Sequence, residues 1–349
     1  HLLQRLTRPD IPGLAKLVVA DLKYKNPKGF GAYPIHGNLL KSQLDEGLEL
    51  MPELRENGKF ISAYLKKLVP GEDVRVSHDD TERKACLSRM WEFVIPLSAA
   101  HNSLKTGILF QLLHLSRSQG IYDPQLFTDY LRLPRNAHYA SLGYRQQGKS
   151  QDIRAYDLPD ILTASIGPNA DEGLVRDYLS YFFLEKMDYK VFSEFIREDY
   201  LKPLFAETMI LGSIGDREKW AAMLGPGPYQ TLRDRVEIDF SPANKKYFTR
   251  DEAVTLDLLL KNVGTLMVKI FEINTFNYYQ SEMTHVDTAV NLDGLTATHE
   301  RILTFDDPPS HRVRRRLDFP EISRPGVFVV DFIGNGKGSR AVIRKGKLH

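Results

Sequence analysis

Val236-Glu237-Ile238-Asp239-Phe240, Val254-Thr255-Leu256-Asp257-Leu258-Leu259-Leu260 and Leu266-Met267-Val268-Lys269-Ile270 are the runs that decide the fold of this chain. Apolar and polar residues alternate in them with a period of two, which places one row of side chains on each face of a pleated strand. The Asn262-Val263-Gly264 turn joins the second run to the third. His299–Phe305, Arg312–Phe319, Val327–Ile333 and Arg340–Arg344 carry the same signal. Seven short strands so closely spaced predict a seven-stranded antiparallel β-sandwich whose two inner faces let it fold on its own.

Upstream of these runs the period is 3.6. Ile11, Leu14, Val18 and Leu22 recur at helical spacing, as do Leu40, Leu44, Leu48 and Met51. The same holds for Ile61, Tyr64, Leu65 and Leu68, and for Leu174, Tyr178, Leu179, Phe182 and Phe183. Asp123 before Pro124 is a helix start, and Asn169-Ala170-Asp171-Glu172 sets acids where the positive end of a helix dipole favours them. From Leu104 to Leu115 the pattern is apolar almost all round, which predicts a helix at the centre of the bundle. About eight to ten helices, joined by short turns into an irregular α-α stack, are expected before residue 235.

Gly225-Pro226-Gly227-Pro228 reads as a turn just before the period changes. The chain is therefore expected to be an α+β two-domain protein, with an all-α helical region over 1–235 and the sandwich over 236–349. Residues 134–160 hold Pro134, Gly143, Gly148 and Pro159, break the helical periodicity, and read as a long loop or a seam.

The 349 residues contain 42% hydrophobic and 26% charged side chains and carry a formal charge of +2, which places the chain among packed globular proteins. Near-neutrality gives nucleic-acid binding no support. Cys86 is the single cysteine, so no internal disulfide forms, and its apolar, helical neighbourhood reads as a buried structural thiol. The longest apolar stretches fall far short of the ~20 residues that span a bilayer.

No catalytic, metal or cofactor site is called from the motifs. Gly334-Asn335-Gly336-Lys337-Gly338-Ser339 superficially resembles a phosphate loop, but the spacing is wrong and Arg340-Ala341-Val342-Ile343-Arg344 reads as a return strand, so a hairpin turn is expected. In the basic run, Arg312, Arg314, Arg316 and Asp318 share one strand face, which reads as a solvated sheet surface paired with Asp306 and Asp307 rather than a polyanion site. Ser77-His78-Asp79-Asp80 opens a helix, with Asp79 or Asp80 as its cap. Around the long loop, Tyr139, Tyr144 and Tyr156 lie with Arg145 and Arg154, a composition able to stack on a sugar or a peptide. These five residues form the candidate ligand surface, against which stands ordinary packing of tyrosines.

Asn244 to Tyr279, with Tyr247, Val254, Val268, Ile270 and Ile273 in place, and the later Arg324-Pro325-Gly326-Val327-Phe328 strand entry resemble the macroglobulin-like domains of bacterial and animal alpha-macroglobulins. The resemblance covers the C-terminal third and implies a building block of a large, extracytoplasmic, non-enzymatic protein: periplasmic, cell-surface or secreted. Protease trapping does not carry over, because the Cys-Gly-Glu-Gln thioester of trapping members is absent. Such domains are strung together by short connections, so an internal fragment with further strand-rich units after residue 349 and an export signal before residue 1 is expected. The leading functional expectation is a structural and interaction module with an unidentified protein partner and the adjacent domains of a longer chain. The alternative is a glycan-binding or hydrolytic domain with a cleft in the helical region.

Overall fold

The computed structural model describes residues 2–24, 28–71, 79–145, 152–162 and 166–346. It is an α+β architecture in which twelve α-helices and five 3₁₀ turns precede the first strand among the described residues. The chain divides into two compact units. One comprises His1–Ser116, Ile121–Tyr178 and Phe192–Arg197, the other Arg117–Gly120, Leu179–Val191 and Glu198–His349.

In the first unit the periodic stretches form helices at Leu14–Leu22, Lys41–Leu50 and Gly58–Leu68. Their starts follow cap chemistry: Asn57 Oδ1 accepts from the Lys59 and Phe60 amides, and Asp123 Oδ1 accepts from Gln125 and Leu126. Asp79 likewise caps Asp80–Val94, while Ser77 and His78 lie outside the described residues. The helix Asn102–Ser118 buries Leu104, Ile108, Leu109, Leu112 and Leu113, as its all-round apolar pattern requires. Cys86 is fully buried, its thiol set against the Leu68 carbonyl and pushed up in pKa by burial.

The second unit carries eight strands: β1 (Glu237–Phe240), β2 (Tyr247–Phe248), β3 (Thr255–Lys261), β4 (Thr265–Ile273), β5 (His299–Thr304), β6 (Arg312–Asp318), β7 (Gly326–Gly334) and β8 (Lys337–Lys345). They form a three-stranded sheet, β1-β3-β6, and a five-stranded sheet, β2-β8-β7-β4-β5. Leu256, Leu258 and Leu260 from one sheet meet Leu266, Val268, Ile270, Val330 and Phe332 from the other in a single buried core. The expected seven antiparallel strands become eight, because β2 pairs parallel with β8 through Tyr247 and Arg344. Two residues are too few to show a period, so β2 left no signal in the sequence.

Three further features depart from the sequence reading or sharpen it. The Gly225–Pro228 segment is not an extended turn: Gly225 alone breaks the chain at φ 81°, and Pro226–Asp234 is a helix. Pro226 and Pro228 fall in the first turn, where backbone N–H groups have no intrahelical acceptor to lose. The connection between β4 and β5 forms a helix over Thr275–Glu282, then lays Val286, Val290 and Leu292 on the outer sheet face against Phe271 and Val329. The Gly334–Ser339 segment is a β7–β8 hairpin, with Asn335 and Gly336 both at positive φ (45° and 77°) as a tight two-residue turn demands.

The second unit also holds a polar clasp. Lys261, 1% exposed, donates Nζ to the Arg235 carbonyl at 2.5 Å, and Asn262 Nδ2 reaches the carbonyls of Arg233 and Arg235 at 2.7 and 2.9 Å. These donors satisfy carbonyls that the end of the helix Pro226–Asp234 leaves without partners. Buried Glu237 accepts from both Arg235 Nε and Arg312 Nε at 2.5 Å.

Candidate functional site

The long loop and its neighbours in the first unit enclose a cavity of about 440 Å³. Its wall combines the inner helix through Ser103, Thr106 and Gly107 with Tyr130, Arg135, Asp152, Arg154 and Asp171. At Gly107 a Cβ would stand 2.6 Å from the tip of the Ile153 side chain, which would have to turn aside to admit it.

Asp171, 3% exposed, precedes the helix Glu172–Lys186 and accepts the Val175 amide on its backbone carbonyl. Its carboxylate oxygen Oδ2 takes hydroxyl hydrogen bonds from Tyr130 at 2.7 Å and Tyr139 at 2.5 Å. Burial, and then the neighbouring Asp171 charge, holds the Tyr130 hydroxyl far above its ordinary pKa; burial does the same for Tyr139. Both remain donors at any physiological pH. Arg135 lies over both rings, 5.1 Å from the Tyr130 centroid and 5.8 Å from that of Tyr139. Its two terminal nitrogens donate to the carbonyls of Tyr130 and Leu131 at 2.7 and 3.0 Å, closing the helix Pro124–Arg132. At the rim Arg154 is held by Asp152 at 2.6 Å, and this hydrogen-bonded pair keeps the Asp152 carboxyl down at about 2.

The five residues of the sequence-derived ligand surface separate by environment. Tyr139 is fully buried on Asp171. Tyr156 is buried too, sharing a 2.6 Å hydrogen bond with His101 Nδ1, and burial pushes its hydroxyl up to about 12. Tyr144 donates to Glu194 at 2.6 Å and packs edge-on to Phe195. Arg145 donates to the carbonyls of His138 and Ala140 at 2.9 and 3.3 Å. Arg154 is exposed at the cavity rim. Tyr139, Tyr144 and Arg145 are thus neighbours on the stretch that pairs with Arg135, whereas Tyr156 turns toward a different neighbour, His101. Sequence reading missed Asp171 as the acceptor for two tyrosines, since its position before a helix already gave it a role as an N-terminal acid.

In the second unit each arginine of the basic run has a partner. Arg312 bonds Glu237 and Asp239, Arg314 bonds Asp257 at 2.7 Å, and Arg316 donates to Thr255 Oγ1 at 3.3 Å. Arg315 points to the opposite face and pairs with Asp307 at 2.5 Å. Among the described residues no helix is long and apolar enough to cross a membrane.

Two family models match the chain: the actin-binding protein F N-terminal domain over residues 1–236 and the first immunoglobulin-like domain of the same protein over residues 266–346. The chain is 34% identical over 371 aligned positions to actin-binding protein F of Dictyostelium discoideum, an alignment covering 100% of this chain and 15% of that protein. No solved structure matches. These findings overturn the macroglobulin resemblance. Alternating strands and the Pro325-Gly326 strand entry are properties of antiparallel sandwiches in general, so they registered the architecture and not the ancestry. The macroglobulin-like label gives way to an immunoglobulin-like one, and the extracytoplasmic assignment, which rested on that resemblance alone, falls with it. The chain belongs to the actin-binding protein F family.

Proposed function

We propose that the chain is a non-enzymatic interaction module of the cytoskeleton whose protein partner is actin. The observation that carries this reading is similarity along the whole chain to a relative named for binding actin. Because the chain spans 15% of that relative, the contact assigned to it is a part of what the longer protein does. The two sequence segments, 1–235 and 236–349, are proposed as its successive parts. The polar groups of the cavity agree with a scaffolding role: Asp171 is occupied by two tyrosine hydroxyls and Asp152 by Arg154, so neither carboxylate is placed as a general base.

The test is fluorescence anisotropy of the N-terminally labelled 349-residue chain titrated with filamentous actin. A rise to a saturating plateau supports the proposal; a flat trace up to about 50 μM filament subunits, weaker than typical transient contacts, overturns it.

The cavity favours one second reading, a polar ligand such as a neutral oligosaccharide seated against Arg154, with Arg135 and Asn136 also on the cavity wall. Titration calorimetry of the chain with such oligosaccharides, repeated on Arg154→Ala, decides it: heat lost in the variant supports a ligand seat, and no heat in either chain removes it.

A further inference from the structure

In the five-stranded sheet β5 is the outermost strand on one side, and among the described residues no strand lies beyond it. Its ladder with β4 sets Thr304 opposite Thr265 and Ile302 opposite Met267, and the Phe305 amide donates to the Gly264 carbonyl at 2.9 Å. Bonded and unbonded residues alternate along an antiparallel pair, so His299, Arg301, Leu303 and Phe305 bond toward β4. Glu300, Ile302 and Thr304 then turn their backbone N–H and C=O groups to the open side. The side chains of these three stand on the outer sheet face and are exposed. Ile302 is 65% exposed, with Met267 beside it and Ile333 of β7 beside Met267, so an apolar row crosses three strands and stops at the edge.

Sheet edges are ordinarily blunted by shortness, charge or proline. The edges β1 and β2 are short, with four and two residues, and β6 carries Arg312, Arg314, Arg315 and Arg316. β5 has six residues, and its charges are drawn aside: Glu300 pairs with Lys269 at 3.2 Å, while Arg301 lies over the Phe319 ring and donates to the Asp318 carbonyl at 2.9 Å. Charge also selects the occupant. A second copy of β5 laid antiparallel about a two-fold axis has one register free of conflict, with Ile302 opposite Ile302, Glu300 opposite Thr304 and Arg301 opposite Leu303. A shift of one residue sets Arg301 on Arg301 or Glu300 on Asp306. A shift of two sets Glu300 on Glu300, or places Pro308, which has no N–H, opposite Glu300 in the ladder. In the conflict-free register the row of Ile333, Met267 and Ile302 continues into the same three residues of the second copy.

We propose that β5 is a homodimerisation edge. Two copies of the chain pair β5 to β5, join their five-stranded sheets into one, and bring the two Ile302 side chains into contact on its outer face. The inference rests on sheet topology, register and charge, and is independent of actin binding.

Analytical ultracentrifugation of the 349-residue chain tests this. The sedimentation coefficient should rise from the monomer to the dimer value between about 1 and 100 μM, as a dissociation constant on the order of 10 μM requires. Ile302→Lys, at an exposed position, should hold the chain monomeric over that range with its melting temperature unchanged. Mild oxidation reads the register. Ile302→Cys should cross-link to its own copy, because directly opposed Cα atoms about 5.5 Å apart fit a disulfide. Glu300→Cys and Thr304→Cys should cross-link when mixed, and neither should do so alone. A monomer at every concentration, a dimer that Ile302→Lys leaves intact, or cross-linking that is equal at the three positions overturns the proposal.

Discussion

The Tyr139 hydroxyl donates to Asp171 Oδ2 at 2.5 Å. Tyr130 reaches the same oxygen, and Arg135 spans both rings, so one carboxylate ties the 134–145 stretch to two helices of the first unit. Hydrogen bonds to a charged group contribute roughly 1.5–3 kcal/mol each. Tyr139→Phe should thus destabilise the first unit by about 2 kcal/mol. Asp171→Ala leaves two buried hydroxyls without their acceptor and should cost about 2–5 kcal/mol. Urea unfolding followed by hydrogen exchange checks both, with the β-sheets of the second unit unaffected.

His101 is fully buried, with Tyr156 on one ring nitrogen and Glu56 3.4 Å from the other. Burial lowers its pKa from the ordinary 6.5 despite the Glu56 charge. A folded pKa below the unfolded one means that the unfolded chain binds the extra proton, so stability rises with pH across this window. The contribution is complete above about pH 6.5 and declines as pH falls below it. The melting temperature of the first unit should therefore drop on acidification from pH 7 toward pH 5. His101→Gln should flatten that dependence; an unchanged slope in the variant would place the titration elsewhere.

Glu237 is the pivot of the clasp in the second unit. Burial alone would raise its carboxyl, but the Arg312 and Arg235 guanidiniums hold it below the ordinary glutamate range. Removing one partner of a buried pair costs about 3–5 kcal/mol, and Glu237→Gln, which keeps the shape, should fall near the lower figure. Because the clasp joins 233–237 to the sheet, a 236–349 fragment should fold at a lower urea midpoint than a 198–349 fragment. Equal midpoints would show that Lys261 and Glu237 contribute nothing across that join.

The sequence made the strands legible because each inner row, such as Leu256, Leu258 and Leu260, had to alternate to build the core. Helix starts at Asp79 and Asp123 obeyed local chemistry and could be read from short spans. What escaped was decided by distant partners. Tyr247 and Phe248 become a strand only because β8 offers an edge, and the helix Thr275–Glu282 has too few buried residues to impose a period. Asp171 acquires its tyrosines from positions 41 and 32 residues upstream, which no local pattern records. Family was misread for the same reason: alternation reports a pleated face and is shared by unrelated sandwiches.

Actin binding is tested most directly by sedimentation. The 349-residue chain is mixed with rising filamentous actin and centrifuged, and the bound fraction is read from the pellet. The account expects saturable co-pelleting with a dissociation constant of about 1–10 μM, unchanged by Arg154→Ala, which alters the cavity rim alone. A chain that stays in the supernatant at every filament concentration while circular dichroism shows it folded would contradict the account.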